Sequence, residues 1–388
     1  MLGYLLARGG VDAIILEKHA DFLRDFRGDT VHPSTLELMY ELGILDEFLK
    51  RPHQEVTHLS AQIGSDSIQM ADFTTVPTHC KFVALMPQWD FLDFIAGQAR
   101  AFPSFHLKMR AEATDLIEEN GCIAGVRAKT PDGALEIRAD LTVGADGRHS
   151  LVRQRAGLEV IDLGAPMDVM WMRISRRADD PAQTFGHVER GGMMVMLNRE
   201  QYWQCAFVIP KGAAEKIREQ GVPAFQARIL GLQPFLGDRT KEIDDWKKVS
   251  VLTVAVDRLK QWARPGLLCI GDAAHAMSPI GGVGINLAIQ DAVATANLLG
   301  PILQKGAPSL EQLQKVQERR TFPVRAMQKV QTTIQNNIFP AIFKPGEPLK
   351  APWFMKIIGH IRWLRRVPAR IAGVGFRPEH IRFPTRAS

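Results

Sequence analysis

A chain of 388 residues, 46% hydrophobic and 23% charged, has the composition of a globular protein with a substantial core, not of a disordered or fibrous polymer. No apolar run reaches the roughly 18 residues that a membrane span needs, and the first eight residues lack the order of a secretory leader. Four scattered cysteines without a Cys-x-x-Cys pair argue against a zinc framework or a disulfide scaffold and suit a reducing cytoplasm.

Residues 2–8 read as the end of a helix stopped by Gly9-Gly10, and a buried strand over 11–16 follows, with Glu17 at its tip. Leu36, Met39, Leu42 and Leu45 share one face of a helix over 33–49, and 87–101 reads as a second helix. Strands are expected at 105–110, 113–118 and 122–129, the last two joined by an Asn120-Gly121 hairpin turn. An apolar strand over 139–144 runs into Ala145-Asp146-Gly147. After about Gly164 the pattern changes to consecutive strand-like runs at 167–174, 183–189, 193–197 and 202–209, with one more at 247–256, as in an antiparallel sheet. A strand at 266–270 and a helix over 286–299 restore the first pattern, and 308–336 reads as a long helix kinked before Pro323. The expected fold is α/β with an α+β insert: a Rossmann-like domain split by an antiparallel-sheet domain and closed by a helical C-terminus.

The net charge of +6 is unevenly spread: residues 340–388 hold ten Lys or Arg against two Asp or Glu, and the rest is nearly neutral. No nucleic-acid motif accompanies that basic tail, so nucleic acid is not an expected partner. Trp353, Ile357, Ile361 and Leu364 share one helical face over 353–366, with Lys356, Arg362 and Arg366 off it. Such a helix either packs on the protein's own surface or lies weakly on a membrane surface.

The densest chemical signal is Gly271-Asp272-Ala273-Ala274-His275 followed by Pro279-Ile280-Gly281-Gly282-Val283-Gly284-Ile285-Asn286. A strand tip, a glycine-rich turn and a helix N-terminus together offer backbone N–H donors to an anion or to the polar edge of a ligand. Glycines let a flat ring or a phosphate approach the main chain closely. An isolated histidine such as His275 is more often structural than catalytic.

This string resembles the second flavin-binding motif of the FAD-dependent monooxygenases typified by para-hydroxybenzoate hydroxylase. The resemblance implies that Asp272 binds the ribityl chain of FAD. It places Pro279, Gly281 and Gly284 beside the isoalloxazine ring, with the amides of Ile285 and Asn286 on the pyrimidine edge; Gly271 belongs to the same motif. Gly144-Ala145-Asp146-Gly147-Arg148-His149-Ser150-Leu151-Val152-Arg153 is similar to the family's Asp-Gly motif, which implies roles for Asp146 and Arg153 near FAD and a transiently bound NAD(P)H. Glu17 then faces the adenosine ribose, Arg27 faces the flavin phosphates, and Gln88 contacts FAD. Met194, Met196 and Gln204 take positions that face substrate or flavin in the family, and Gln204 stands where the type enzyme has an arginine. A larger, neutral or apolar aromatic substrate is expected, not a small benzoate.

The resemblance covers residues 1 to about 310, and the family's Gly-x-Gly-x-x-Gly turn is not among them. The first strand and glycine turn are therefore expected to be absent from the fold, leaving the pyrophosphate site open. The implied domains are a discontinuous FAD-binding domain (1–60, 80–165 and 257–310), a substrate domain (61–79 and 166–256) and a helical C-terminal segment (311–388). The implied reaction takes electrons from NAD(P)H and one oxygen atom from O2 to hydroxylate an aromatic or polyketide/quinone-like substrate. Trp171-Met172-Arg173-Ile174 does not match the Trp-x-Trp-x-Ile-Pro signature of flavin-dependent halogenases. A flavin-dependent reductase and a non-catalytic remnant remain as alternatives.

Overall fold

The computed structural model describes residues 1–23, 30–181, 183–344, 349–361 and 363–385. Arg27 and Arg362 lie outside the described residues.

Helix α1 (Leu2–Arg8) buries Tyr4, Leu5, Leu6 and Ala7 and is followed by β1 (Ala13–Glu17), β2 (Thr30–Val31) and α2 (Pro33–Glu41). The helix expected over 33–49 is two helices. Gly43 adopts φ +72°, and the Ile44 N–H turns back to the Met39 carbonyl at 3.0 Å, so the first helix ends and a second begins at Leu45. Next come β3 (His58–Ile63), β4 (Asp66–Asp72), α3 (Gln88–Ala99), β5 (Phe105–Met109), β6 (Thr142–Gly144) and α4 (Leu151–Arg155). The central run follows as β7 (Met167–Ser175), β8 (Phe185–Glu189), β9 (Gly192–Asn198), β10 (Tyr202–Pro210) and β11 (Ser250–Leu252). Strand β12 (Leu267–Cys269) leads to α5 (Gly284–Leu303), α6 (Leu310–Phe343), α7 (Trp353–His360) and α8 (Arg366–Gly373). No described helix is long and apolar enough to cross a membrane.

Strands β1 and β5 pair in parallel, as do β6 and β12, in two separate ribbons. The central sheet has the order β11–β7–β10–β9–β8–β3–β4, antiparallel except where β8 meets β3. Alternation gives this sheet two faces. Met170, Met172, Met194, Met196, Trp203, Cys205 and Phe207 point to the back, against Ile217, Phe225, Ile229 and Leu232 of the helices Ala214–Glu219 and Val222–Leu232. Val169, Trp171, Met193, Val195, Ala206 and Val208 point to the front, against Ile280 and against Phe339 and Ile342 of α6.

The long helix is not broken at Pro323: α6 passes through both Pro323 and Pro340. Buried Val324, Met327 and Phe339 hold it to the core across the missing backbone donors. The helix expected over 353–366 is interrupted, and α7 and α8 both lie on β4 and the turn that follows it. Gly359 closes against Ile68 and Gly373 against Phe73, where an added Cβ would come within 2.8 and 3.1 Å of those side chains. Lys356 Nζ pairs with Asp66 at 2.9 Å.

Candidate flavin site

The site is built where β12 ends. Its three residues are fully buried, and the chain leaves them through a tight turn at Gly271 with φ +58°. An added Cβ there would lie 2.9 Å from Ala288 of α5, so glycine permits the turn to sit directly on the helix. The turn is locked from beneath by a carboxylate that the sequence did not flag. Asp291, wholly buried on α5, accepts from the Gly271 N–H at 3.0 Å, lies 2.6 Å from His275 Nε2 and accepts from Arg320 Nε at 2.8 Å. Burial alone would raise the Asp291 pKa, but His275 and Arg320 outweigh it and hold the carboxyl below the usual range. His275 is thus structural.

This lock presents Asp272 to the N-terminus of α5. Asp272 is partly exposed; its Oδ2 lies 3.6 Å from Arg148 Nη2, and its Oδ1 lies 3.9 Å from where a Gly284 Cβ would be. The N–H groups of Gly284, Ile285 and Asn286 stand in the first turn of α5, where no intrahelical acceptor exists, and the helix dipole adds partial positive charge. Gly281, at φ +78°, is exposed, and a Cβ on it would meet only Val283, at 3.7 Å. Glycine at 281 and 284, main-chain donors at 284–286 and the Asp272 acceptor form a cradle that suits the polar edge of a flat ring and an adjoining hydroxyl chain. The donor set fits FAD.

Asn286 has a second task. Its side chain is buried, accepts from His32 N–H (3.0 Å) and Thr35 Oγ1 (2.7 Å), and donates to the carbonyls of Thr30 (3.1 Å) and Gly282 (3.3 Å). Thr30 Oγ1 donates to the Gly282 carbonyl at 2.8 Å. The glycine turn is thereby tied to β2 and to the start of α2. His32 extends the tie, because its Nδ1 lies 2.6 Å from the Ala372 carbonyl in α8. Burial pushes the His32 imidazole down to about 4, against the carbonyls of Ala372 and Gly281, which would raise it. The unfolded ring takes up a proton near 6.5, so this neutral histidine's contribution to stability is present above that pH and lost as pH falls towards about 4. Thr30, His32, Thr35 and Arg148 carried no signal strong enough to single them out in sequence.

The other expected site residues divide. Gly271, Asp272, Pro279, Gly281, Gly284, Ile285 and Asn286 converge on the turn just described, and the Pro279 carbonyl accepts from the Gly282 N–H at 3.0 Å. Glu17 stands at the tip of β1, where its carboxylate accepts from the His19 N–H at 3.0 Å. Gln88 opens α3 and is half-buried. Asp146 is exposed and Arg153 is buried, and both make bonds within the protein. Asp146 accepts from Ser150 Oγ and, at 3.1 Å, from the Val152 N–H, capping α4. Arg153 is buried, pairs with Asp257 at 3.2 Å and donates to the Ala273 carbonyl at 3.5 Å, bracing the Gly271–Ala273 turn. Met194 and Met196 are corrected. Both are wholly buried on the back of the central sheet, so they face helices and not a substrate. Gln204 points to the front, with Oε1 accepting from Arg199 Nε at 3.0 Å.

A family described as FAD binding domain matches residues 1–330. The chain belongs to that family. This flavoprotein is 30% identical over 339 residues to 6-methylpretetramide 4-monooxygenase of Streptomyces rimosus, covering 85% of this chain and 79% of the relative. It is 27% identical over 302 residues to rifampicin monooxygenase of Streptomyces venezuelae, covering 75% of this chain but only 60% of that longer relative. Its fold matches p-nitrophenol 4-monooxygenase of Pseudomonas putida with a TM-score of 0.77 at 17% identity, over 95% of this chain and 93% of the other. The flavoprotein is an FAD-dependent oxidoreductase of the monooxygenase class, and FAD is its cofactor.

If Asp272 holds the cofactor, Asp272→Ala weakens FAD binding by about 1–3 kcal/mol, the usual cost of stranding hydrogen-bond partners. Fluorescence titration of the deflavinated protein with FAD reads this directly. Unchanged affinity would mean that the carboxylate serves contacts within the protein, Arg148 among them.

Proposed function

We propose that this flavoprotein hydroxylates a neutral polycyclic aromatic of polyketide or quinone type, using NAD(P)H and O2. The observation that carries the reading is the front of the central sheet. Trp171, Val195, Ala206 and Val208 present an apolar wall to Ile280, which lies within the flavin turn. Next to Val195 in the sheet, a Cβ on Gly186 would meet nothing within 4 Å, so space is open in front of that wall. Gln204 adds a neutral polar group on the same side. Arg173, also on that side, has its guanidinium 3.8 Å above the Tyr202 ring. The polyketide-type molecules named for the two Streptomyces relatives agree with such a wall.

Bound FAD would supply the redox chemistry, taking two electrons from NAD(P)H and directing one atom of O2 to the product and the other to water. The chain's own residues position and exclude. The α5 N-terminus orients the polar edge of the ring by its N–H groups. Asp272 accepts a hydrogen bond from the hydroxyl chain. The apolar wall keeps water from the reacting face, which limits loss of reducing equivalents to solvent reactions. The reading includes weak contact of segment 353–366 with a membrane surface, from which an apolar substrate is drawn, and a cytoplasmic setting that suits the free cysteines.

The deciding experiment supplies 18O2 to the FAD-loaded protein with NADH or NADPH and a panel of polycyclic phenols. We expect one labelled atom per product by mass spectrometry and faster NAD(P)H oxidation when an accepted phenol is present. Turnover that proceeds equally well without oxygen would assign the protein to the flavin-dependent reductases.

A further inference from the structure

Exposed apolar side chains concentrate at one place. Twelve large hydrophobic residues are exposed among the described residues, and five of them, Trp353, Ile357, Ile361, Trp363 and Val367, fall within a single stretch of fifteen. Trp353 is 74% exposed and Trp363 is 64% exposed. The inner sides of the two helices explain why these residues face outward. Met355 and Gly359 turn α7 onto β4, which leaves Trp353 and Ile357, four residues apart, on its outer side. Ala369 and Gly373 turn α8 onto Phe73, leaving Arg366, Val367 and Arg370 exposed. Lys350, just before α7, is exposed too. The outer side of α7 and α8, with Ile361 and Trp363 in the link between them, therefore carries tryptophan, aliphatic and cationic groups.

We propose that this two-helix face docks on an anionic lipid surface. Indole rings combine an apolar body with one polar N–H and settle at the level of lipid headgroups. Cations beside them meet the phosphates, so the same few residues supply both parts of an interfacial contact. The charge argues against a second copy of the chain as the occupant. In a twofold dimer the same patch appears on both sides, which would bring Arg366 and Arg370 of one copy against those of the other. The face is broader than segment 353–366, since Val367 and Arg370 of α8 belong to it. The proposal rests on the reading above only for its purpose, the uptake of an apolar substrate; lipid binding is measured without turnover.

The test floats the FAD-loaded protein with vesicles of phosphatidylcholine containing phosphatidylglycerol, with pure phosphatidylcholine as the control. The protein floats with the anionic vesicles and stays below with the neutral ones. Trp353→Ser with Trp363→Ser abolishes flotation. Arg366→Gln with Arg370→Gln lowers partitioning about thirtyfold, the equivalent of about 1 kcal/mol for each charge, and salt removes the difference. Both variants keep parental FAD fluorescence and monooxygenation of a soluble phenol, which separates a failure of docking from a failure of the proposed reaction. Equal flotation of parent and variants, no flotation at all, or a dimer in sedimentation that the tryptophan substitutions dissolve would each overturn the proposal.

Discussion

An Asp291→Ala substitution is expected to destabilise the protein by about 3–5 kcal/mol, the usual result of removing one partner from a buried ion pair. Asp291 and Arg320 are 0% and 1% exposed, so the guanidinium left behind has no access to water. Glu379, 3.5 Å from Arg320, offsets part of the loss but cannot replace the shorter contact. The same substitution releases His275 and the Gly271 N–H, so the turn beneath Asp272 loosens as well. Urea unfolding of parent and variant measures the difference. The double variant Asp291→Ala with Arg320→Met should recover much of the stability, because no unpaired charge remains buried. A single variant within about 1 kcal/mol of the parent would show that the network relaxes around its own loss.

Gly282→Ala is expected to damage the cofactor site more than a change of one methyl group suggests. At φ +62°, any side chain at 282 is strained by about 1–3 kcal/mol. The new Cβ would also lie 2.3 Å from Thr30 Oγ1, the group that fixes the Gly282 carbonyl. Either Thr30 or the turn must move, and the N–H groups at the start of α5 move with the turn. Taken up by the binding equilibrium, that strain alone corresponds to a loss of about 5- to 150-fold in FAD affinity. Gly281→Ala makes a useful comparison, since its Cβ meets no protein atom closer than 3.7 Å. Gly281, at φ +78°, carries the same kind of strain, so damage to FAD binding from Gly281→Ala beyond that strain, without equal damage to stability, would place the ring against that residue. Parental FAD affinity in Gly282→Ala would sink the assignment of this turn.

The strands of the central sheet were legible because alternating apolar residues and intervening turns are local features. The glycine-rich turn at 271–286 was legible for the same reason: seven of the residues singled out in it lie within sixteen consecutive positions. Other parts were hidden by sequence distance. Asp291 and Arg320 are 29 positions apart, and Arg153 and Asp257 are 104 apart, so nothing near any of them announces the partner. Met194 and Met196 show a different limit. Alternation tells which residues share a face but not which face meets the flavin turn, and that is decided by the helices Ala214–Glu219 and Val222–Leu232 covering the back. Gly43 ended a helix that apolar spacing alone would have continued, through a left-handed conformation. Pro323 did not end α6, which runs through it, because buried packing at Val324 and Met327 outweighs the loss of one backbone donor.

The tie between His32 and Ala372 also bears on the order in which the molecule is put together. It joins residues 340 positions apart, and the Asn286 clamp on which it acts closes over 254 positions. Contacts this remote form late, because the entropy of closing so long a loop must be met before they stabilise anything. During synthesis, β2 and α2 emerge before the glycine turn, and α8 emerges after both. The cradle for the cofactor is thus closed only once α8 has been made, and FAD capture waits for that helix and not for the glycine turn alone.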